Sequence, residues 1–106
     1  MLPAKKFADL ALSMADTDTV PHFDKQAFRK HTKIFATLHP VTLVAMVKLT
    51  PEQQSVYLQL PGEIFYPASG AWGKAGCTHC NLKMINTKLA KEVLRLAWGN
   101  IHLKKK

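Results

Sequence analysis

The stretch Thr42-Leu-Val-Ala-Met-Val-Lys-Leu49 restricts the fold of this chain more than any other. Successive side chains of an extended strand point to opposite faces, so Leu43, Ala45, Val47 and Leu49 line one side while Val44 and Met46 line the other as far as Lys48. A strand that is apolar on both sides belongs in the middle of a sheet. The next residues are equally readable. Thr50, Pro51 and Gln53 have the spacing of a helix N-cap, a first helical residue and a capping-box partner, opening a helix that runs through Val56, Tyr57 and Leu60 until Pro61-Gly62 stops it.

The remaining elements are arranged around that pair. Phe7, Leu10, Ala11 and Met14 recur at helical spacing, which predicts a helix over about residues 3 to 14 with Pro3 in its first turn. Asp16 to Pro21 is polar, rich in Asp and Thr, and ends in proline, so it reads as a loop. Lys25 to His31 and Ile34 to Leu38 read as strands, broken at Thr32-Lys33 and His39-Pro40. From Gly62 to Gly76 there are four glycines among Phe65, Tyr66 and Trp72, which suits an irregular loop with one short strand. A last strand is expected from Cys77 to Ile85, and Asn86 or Thr87 then caps a helix with the apolar stripe Leu89, Val93, Leu96 and Ala97, ending near Gly99-Asn100. The order α-β-β-β-α-β-β-α predicts a single α+β domain, an antiparallel sheet backed by helices, over residues 1–103 with 104–106 as a basic tail. At 106 residues the chain is long enough for one core and too short for two.

Cys77-Thr-His-Cys80 is the sharpest chemical motif, with the spacing of a redox pair or half a zinc site. On a strand, however, residues three apart point to opposite faces and lie roughly 10 Å apart, beyond disulfide or shared-metal reach. Alternation puts Cys80, Leu82 and Met84 toward the core and Cys77, His79, Asn81 and Lys83 outward. Both cysteines are therefore expected to be structural thiols. The five histidines (His22, His31, His39, His79, His102) show no chelating spacing, and no Gly-rich phosphate loop occurs. Glu52, Glu63 and Glu92 are the carboxylates after residue 24, too few and too scattered for an acid/base pair. The expectation is a domain that is not an enzyme, with no catalytic residues, metal or cofactor.

No apolar run approaches the roughly 20 residues of a membrane span, and Asp9, Ser13, Asp16 and Asp18 interrupt the region where a secretory signal would be apolar. The expected setting is the cytoplasm, with no membrane partner and both cysteines reduced. Net charge is +8, unevenly spread: residues 1 to 24 carry −2 and residues 25 to 106 carry +10, of which Lys104, Lys105 and Lys106 supply three. Basic residues beside an aromatic remain as the candidate interface: Arg29, Lys30 and Lys33 around the first hairpin, Trp72 and Lys74 before the last strand, and Lys83 on it. Such a set is suited to tracking phosphates, with Trp72 as a stacking group. The competing reading is a solvated surface, as for Lys88, Lys91 and Arg95 on the last helix.

Several segments, in this order, resemble the MmcQ/YjbR family: Ala11-Leu-Ser, Pro21-His22-Phe23, Phe28-Arg29, Lys33-Ile-Phe-Ala-Thr-Leu38, Lys48-Leu-Thr-Pro-Glu52, and Trp72 through Leu82. The likeness spans about residues 7 to 101, and its most specific pieces are Lys33–Leu38 and the segment from Trp72 into the last strand. It implies an α+β fold related to secretion chaperones and a predicted DNA-binding role through a double-wing motif. Members often carry tryptophan where Cys77 stands, which weakens an aromatic binding role at that position, and an apolar residue where Cys80 stands. No catalytic residue carries over. Two functions are expected in consequence: a nucleic-acid-binding domain, or a protein-interaction or chaperone-like adaptor using an exposed sheet face. Either would act as a monomer or weak dimer.

Overall fold

The computed structural model describes residues 1–102, so the basic tail at 104–106 and the boundary drawn at 103 lie outside the described residues. The elements are α1 (Ala4–Leu12), β1 (Thr17–His22), β2 (Lys25–Lys30), β3 (Lys33–His39), β4 (Val44–Lys48), α2 (Pro51–Leu58), β5 (Phe65–Pro67), α3 (Gly70–Lys74), β6 (Cys77–Asn81) and α4 (Thr87–Gly99). All six strands form one antiparallel sheet in the order β1-β2-β3-β4-β6-β5. This is the expected α+β architecture, and its predicted element order runs through the chain with β1 and α3 added.

The strand with two apolar faces is β4, and it is central, between β3 and β6. Ala45 and Val47 are buried beneath the helices, whereas Val44 and Met46 are half-buried on the opposite face. The handover to α2 uses the capping box: Gln53 N–H donates to Thr50 Oγ1 at 3.1 Å, and Thr50 N–H donates to Gln53 Oε1 at 3.0 Å. Asn86 caps α4, its side chain accepting from Leu89 N–H at 2.8 Å.

The segment read as a loop is largely a strand. β1 pairs with β2 from Thr17↔Lys30 to His22↔Lys25. An edge strand keeps polar side chains in water and tolerates Pro21, so neither the polarity nor the proline blocks pairing. The last strand is shorter than expected. The Asn81 side chain accepts from Lys83 N–H at 3.0 Å and its carbonyl from Met84 N–H, which turns the chain away. Leu82 is still buried, but Met84, expected inward, is exposed.

In β3, Ala36 pairs with Phe28 while Ile34 pairs with Arg29, leaving Phe35 as the extra residue of a bulge. Phe35 and Ala36 can thus both enter the core although they are consecutive. Helices α1, α2 and α4 cover one face of the sheet. There Phe7 and Ala11 meet Phe28, Tyr57 meets Phe65 at 5.2 Å between ring centroids, and Ala90, Val93, Leu94 and Ala97 close the middle.

Candidate functional site

The other face of the sheet is free of these three helices. Strand register arranges its side chains in rows. Ala27, Thr37, Met46, His79 and Tyr66 lie side by side across β2, β3, β4, β6 and β5. One flanking row holds His22, Lys25, His39 and Val44; the other holds Arg29 and Ile34 on one side and Lys48 and Cys77 on the other. Between them is a groove of about 610 Å³ with Lys25 and Lys48 at opposite corners. No carboxylate lines it among the described residues.

Helix α3 forms one rim. The chain reaches it through Ala68 and Ser69, and the buried Gln54 of α2 pins it by donating from Nε2 to the Gly73 carbonyl at 3.0 Å and the Cys77 carbonyl at 3.1 Å. Gly73 makes this approach possible, because a Cβ there would lie 1.8 Å from the Ala68 carbonyl oxygen. The result is Trp72 standing 68% exposed over the groove.

Histidines on this face have distinct settings. His39 Nδ1 accepts the Val41 and Thr42 N–H groups at 3.3 and 3.2 Å, and Nε2 donates to Asp24 Oδ2 at 3.2 Å, so the ring is held as the Nε2–H tautomer. His79 packs edge-on against Tyr66 at 5.1 Å; burial holds its pKa below the usual value, and the Lys25 charge adds to that.

Cys77 and Cys80 do lie on opposite faces, but Cys77 is buried where the strand pattern put it in the open, because α3 closes over that corner. Burial raises the Cys77 pKa against an opposing pull from Lys48, and burial alone pushes Cys80 up to about 12. Among the described residues no group of three His, Cys, Asp or Glu side chains is placed to hold a metal ion. At pH 8 a thiol of that pKa is roughly one part in ten thousand thiolate, the reactive form. Alkylation at pH 8 should therefore leave Cys80 unmodified in the native protein and label it fully in denaturant, as read by mass spectrometry. Rapid native labelling of Cys80 would contradict the placement.

The six basic and aromatic residues singled out in the sequence go to separate places. Arg29 is on the open face, but its Nε and Nη2 donate to Asp18 at 2.9 and 2.7 Å, a pair that lowers the Asp18 pKa and raises that of Arg29. Lys30 is on the helix side: its Nζ lies 3.7 Å from the Trp98 ring centroid and donates to the Trp98 and Ile101 carbonyls, each at 3.2 Å. Lys33 Nζ donates to the His102 carbonyl at 3.3 Å. These two lysines satisfy carbonyls around the negative end of the α4 dipole. Trp72 and the exposed Lys74 stand together on α3, while Lys83 lies beyond the far end of β6. Sequence reasoning missed Lys25, Lys48 and His22 as groove residues. Only cross-strand register reveals that they share a face.

No family model matches the chain, and no curated protein matches it in sequence. Two solved structures share its fold. Protein DR2400 of Deinococcus radiodurans, with a DUF419 domain, superimposes with a TM-score of 0.80 at 15% identity, covering 92% of this chain and 77% of that one. A protein from Pseudomonas syringae superimposes with a TM-score of 0.70 at 18% identity, covering 92% of this chain and 97% of that one. At identities this low the superpositions show a shared fold alone.

Proposed function

We propose that this is a non-enzymatic, cytoplasmic DNA-binding domain of the MmcQ/YjbR kind, which engages nucleic acid through the open face of its sheet. The observation that carries this reading is the pairing of Lys25 and Lys48 at opposite corners of a groove whose described lining holds no carboxylate, beside the exposed Trp72. Lys74 extends the positive rim. A low-dielectric trough of one sign of charge focuses its field on a polyanion. The resemblance of the sequence to a family described as DNA-binding supports the same reading.

Titrating a labelled DNA oligonucleotide by fluorescence anisotropy at two salt concentrations tests it. Binding at low salt should weaken steeply as salt rises. Exchanging Lys25 and Lys48 for Glu should weaken it about tenfold or more and lower the salt slope by roughly two, with no change in unfolding midpoint. Absence of binding at low salt, or binding that disappears only when Lys104 to Lys106 are deleted, would reject the proposal. The adaptor reading draws on Val44 and Met46, half-buried on the face that α1, α2 and α4 leave open. It is favoured if the double exchange leaves DNA affinity unchanged.

A further inference from the structure

We infer that the open face takes an unpaired single strand, with Phe23 and Trp72 stacking on bases at its two ends. The inference rests on the nucleic-acid reading above and names the form of nucleic acid. Three observations carry it.

The first is the floor. Ile34, Val44 and Met46 line the groove, half-buried, and give it a partly apolar floor. A duplex turns its base faces inward and offers phosphates and sugars to a broad sheet face, whereas an unpaired strand can lay its bases flat on such a floor.

The second is Phe23. It stands 94% exposed at the tip of the two-residue β1–β2 turn, with φ of 59°, a backbone region that glycine or asparagine fills without strain. A bulky aromatic there is costly twice over, in backbone strain and in water contact, and within the chain the ring's aromatic contact is the edge of His22, at 5.0 Å. His22 itself lines the groove. Phe23 thus stands beside the groove at its Lys25 end, in the lining of a neighbouring depression that shares Lys25 with the groove and also holds Asp24, whereas Trp72 lines the groove itself at the Lys48 end.

The third is spacing. From Lys25 on β2 to Cys77 on β6, beside α3, the sheet takes three inter-strand steps with an offset of about four residues along the strands. At about 4.8 Å per step and 3.3 Å per residue the diagonal is roughly 20 Å, which suits about four to six nucleotides. Two lysines along such a path give little phosphate attraction, so the rings must supply much of the affinity.

The test compares an eight-nucleotide single strand with a blunt duplex of the same sequence at low salt, by anisotropy and by quenching of tryptophan emission. The single strand should bind at least tenfold more tightly. Phe23→Ala and Trp72→Ala should each weaken single-strand binding about fivefold or more. Both side chains are solvent-exposed, so circular dichroism should show both variants folded. Equal or tighter duplex binding would overturn the single-strand inference while leaving the nucleic-acid reading intact. A single-strand preference that persists undiminished in the Phe23→Ala, Trp72→Ala double variant would overturn the stacking assignment. Failure of the unchanged protein to bind either oligonucleotide would overturn both.

Discussion

Gly76→Ala is expected to destabilise the protein by about 4 kcal/mol or more, a large part of the roughly 5–15 kcal/mol that holds a domain of this size together. Gly76 joins α3 to β6 at φ of 111°, where an L side chain is strained in any surroundings. The surroundings add a second obstacle: a Cβ would sit 2.0 Å from the Leu49 carbonyl oxygen and 2.8 Å from the Leu49 and Thr50 carbonyl carbons. Those atoms cannot withdraw. Thr50 is held by its capping box, Lys48 is paired with Cys77, and the Gly76 carbonyl accepts from Thr78 Oγ1 at 2.8 Å. Urea unfolding monitored by circular dichroism should show a much lower midpoint or no folded baseline. Gly99→Ala is the control, since a Cβ there meets nothing within 4 Å and the residue closes α4. It should be neutral or stabilising by up to about 1 kcal/mol. A Gly76→Ala protein as stable as this control would mean that the α3–β6 junction is wrongly described.

That junction also shows where sequence reasoning stops. Patterns confined to one element were legible: the two apolar faces of β4 and the Thr50–Gln53 capping box occur where local spacing places them, and the stripe expected on α4 does so in part, with Val93 and Ala97 buried beside Ala90 and Leu94 while Leu89 and Leu96 are only half-buried. Features that depend on a distant partner were not. β1 reads as a polar loop because its apolar content is low, and it becomes a strand because β2 offers a full edge. α3 is five residues rich in glycine, positioned by Gln54 from another helix. Lys30 looks like a free cation until Trp98, 68 residues away in sequence, comes to lie under it.

The candidate interface obeys the same division. Arg29 and Lys30 are neighbours in sequence and so read as one cluster, yet alternation sends one to each face. The bulge at Phe35 adds to this, since it shifts the register between Ile34 and Ala36 and parity counted from the hairpin no longer predicts the face. Lys25 and Lys48 lie two strands apart, on β2 and β4 with β3 between them, and meet on one surface through pairings that no local motif encodes.

Because the core and the proposed binding surface occupy opposite faces of one sheet, stability and binding should be separable, and Phe28→Ala is the substitution that separates them most clearly. Phe28 is fully buried on the helix side, its ring 6.1 Å from that of Phe7 in an edge-on pair that fastens α1 to the sheet. Truncation removes a large apolar side chain and leaves a cavity that β2, paired on both edges, cannot collapse to fill. The expected loss is about 3–5 kcal/mol, measured as a lower urea midpoint with an unchanged slope. Its neighbour Ala27 lies on the opposite face, in the row with Thr37, so the open face keeps its backbone as long as the chain is folded. In conditions where both proteins are folded, Phe28→Ala should therefore bind the single strand within about twofold of the unchanged protein, while the exchange of Lys25 and Lys48 for Glu should show the reverse pattern, full stability with lost affinity. If Phe28→Ala weakened binding as much as the lysine exchange does, the two faces would be coupled, and the sheet could not be treated as a rigid partition between its core and its binding surface.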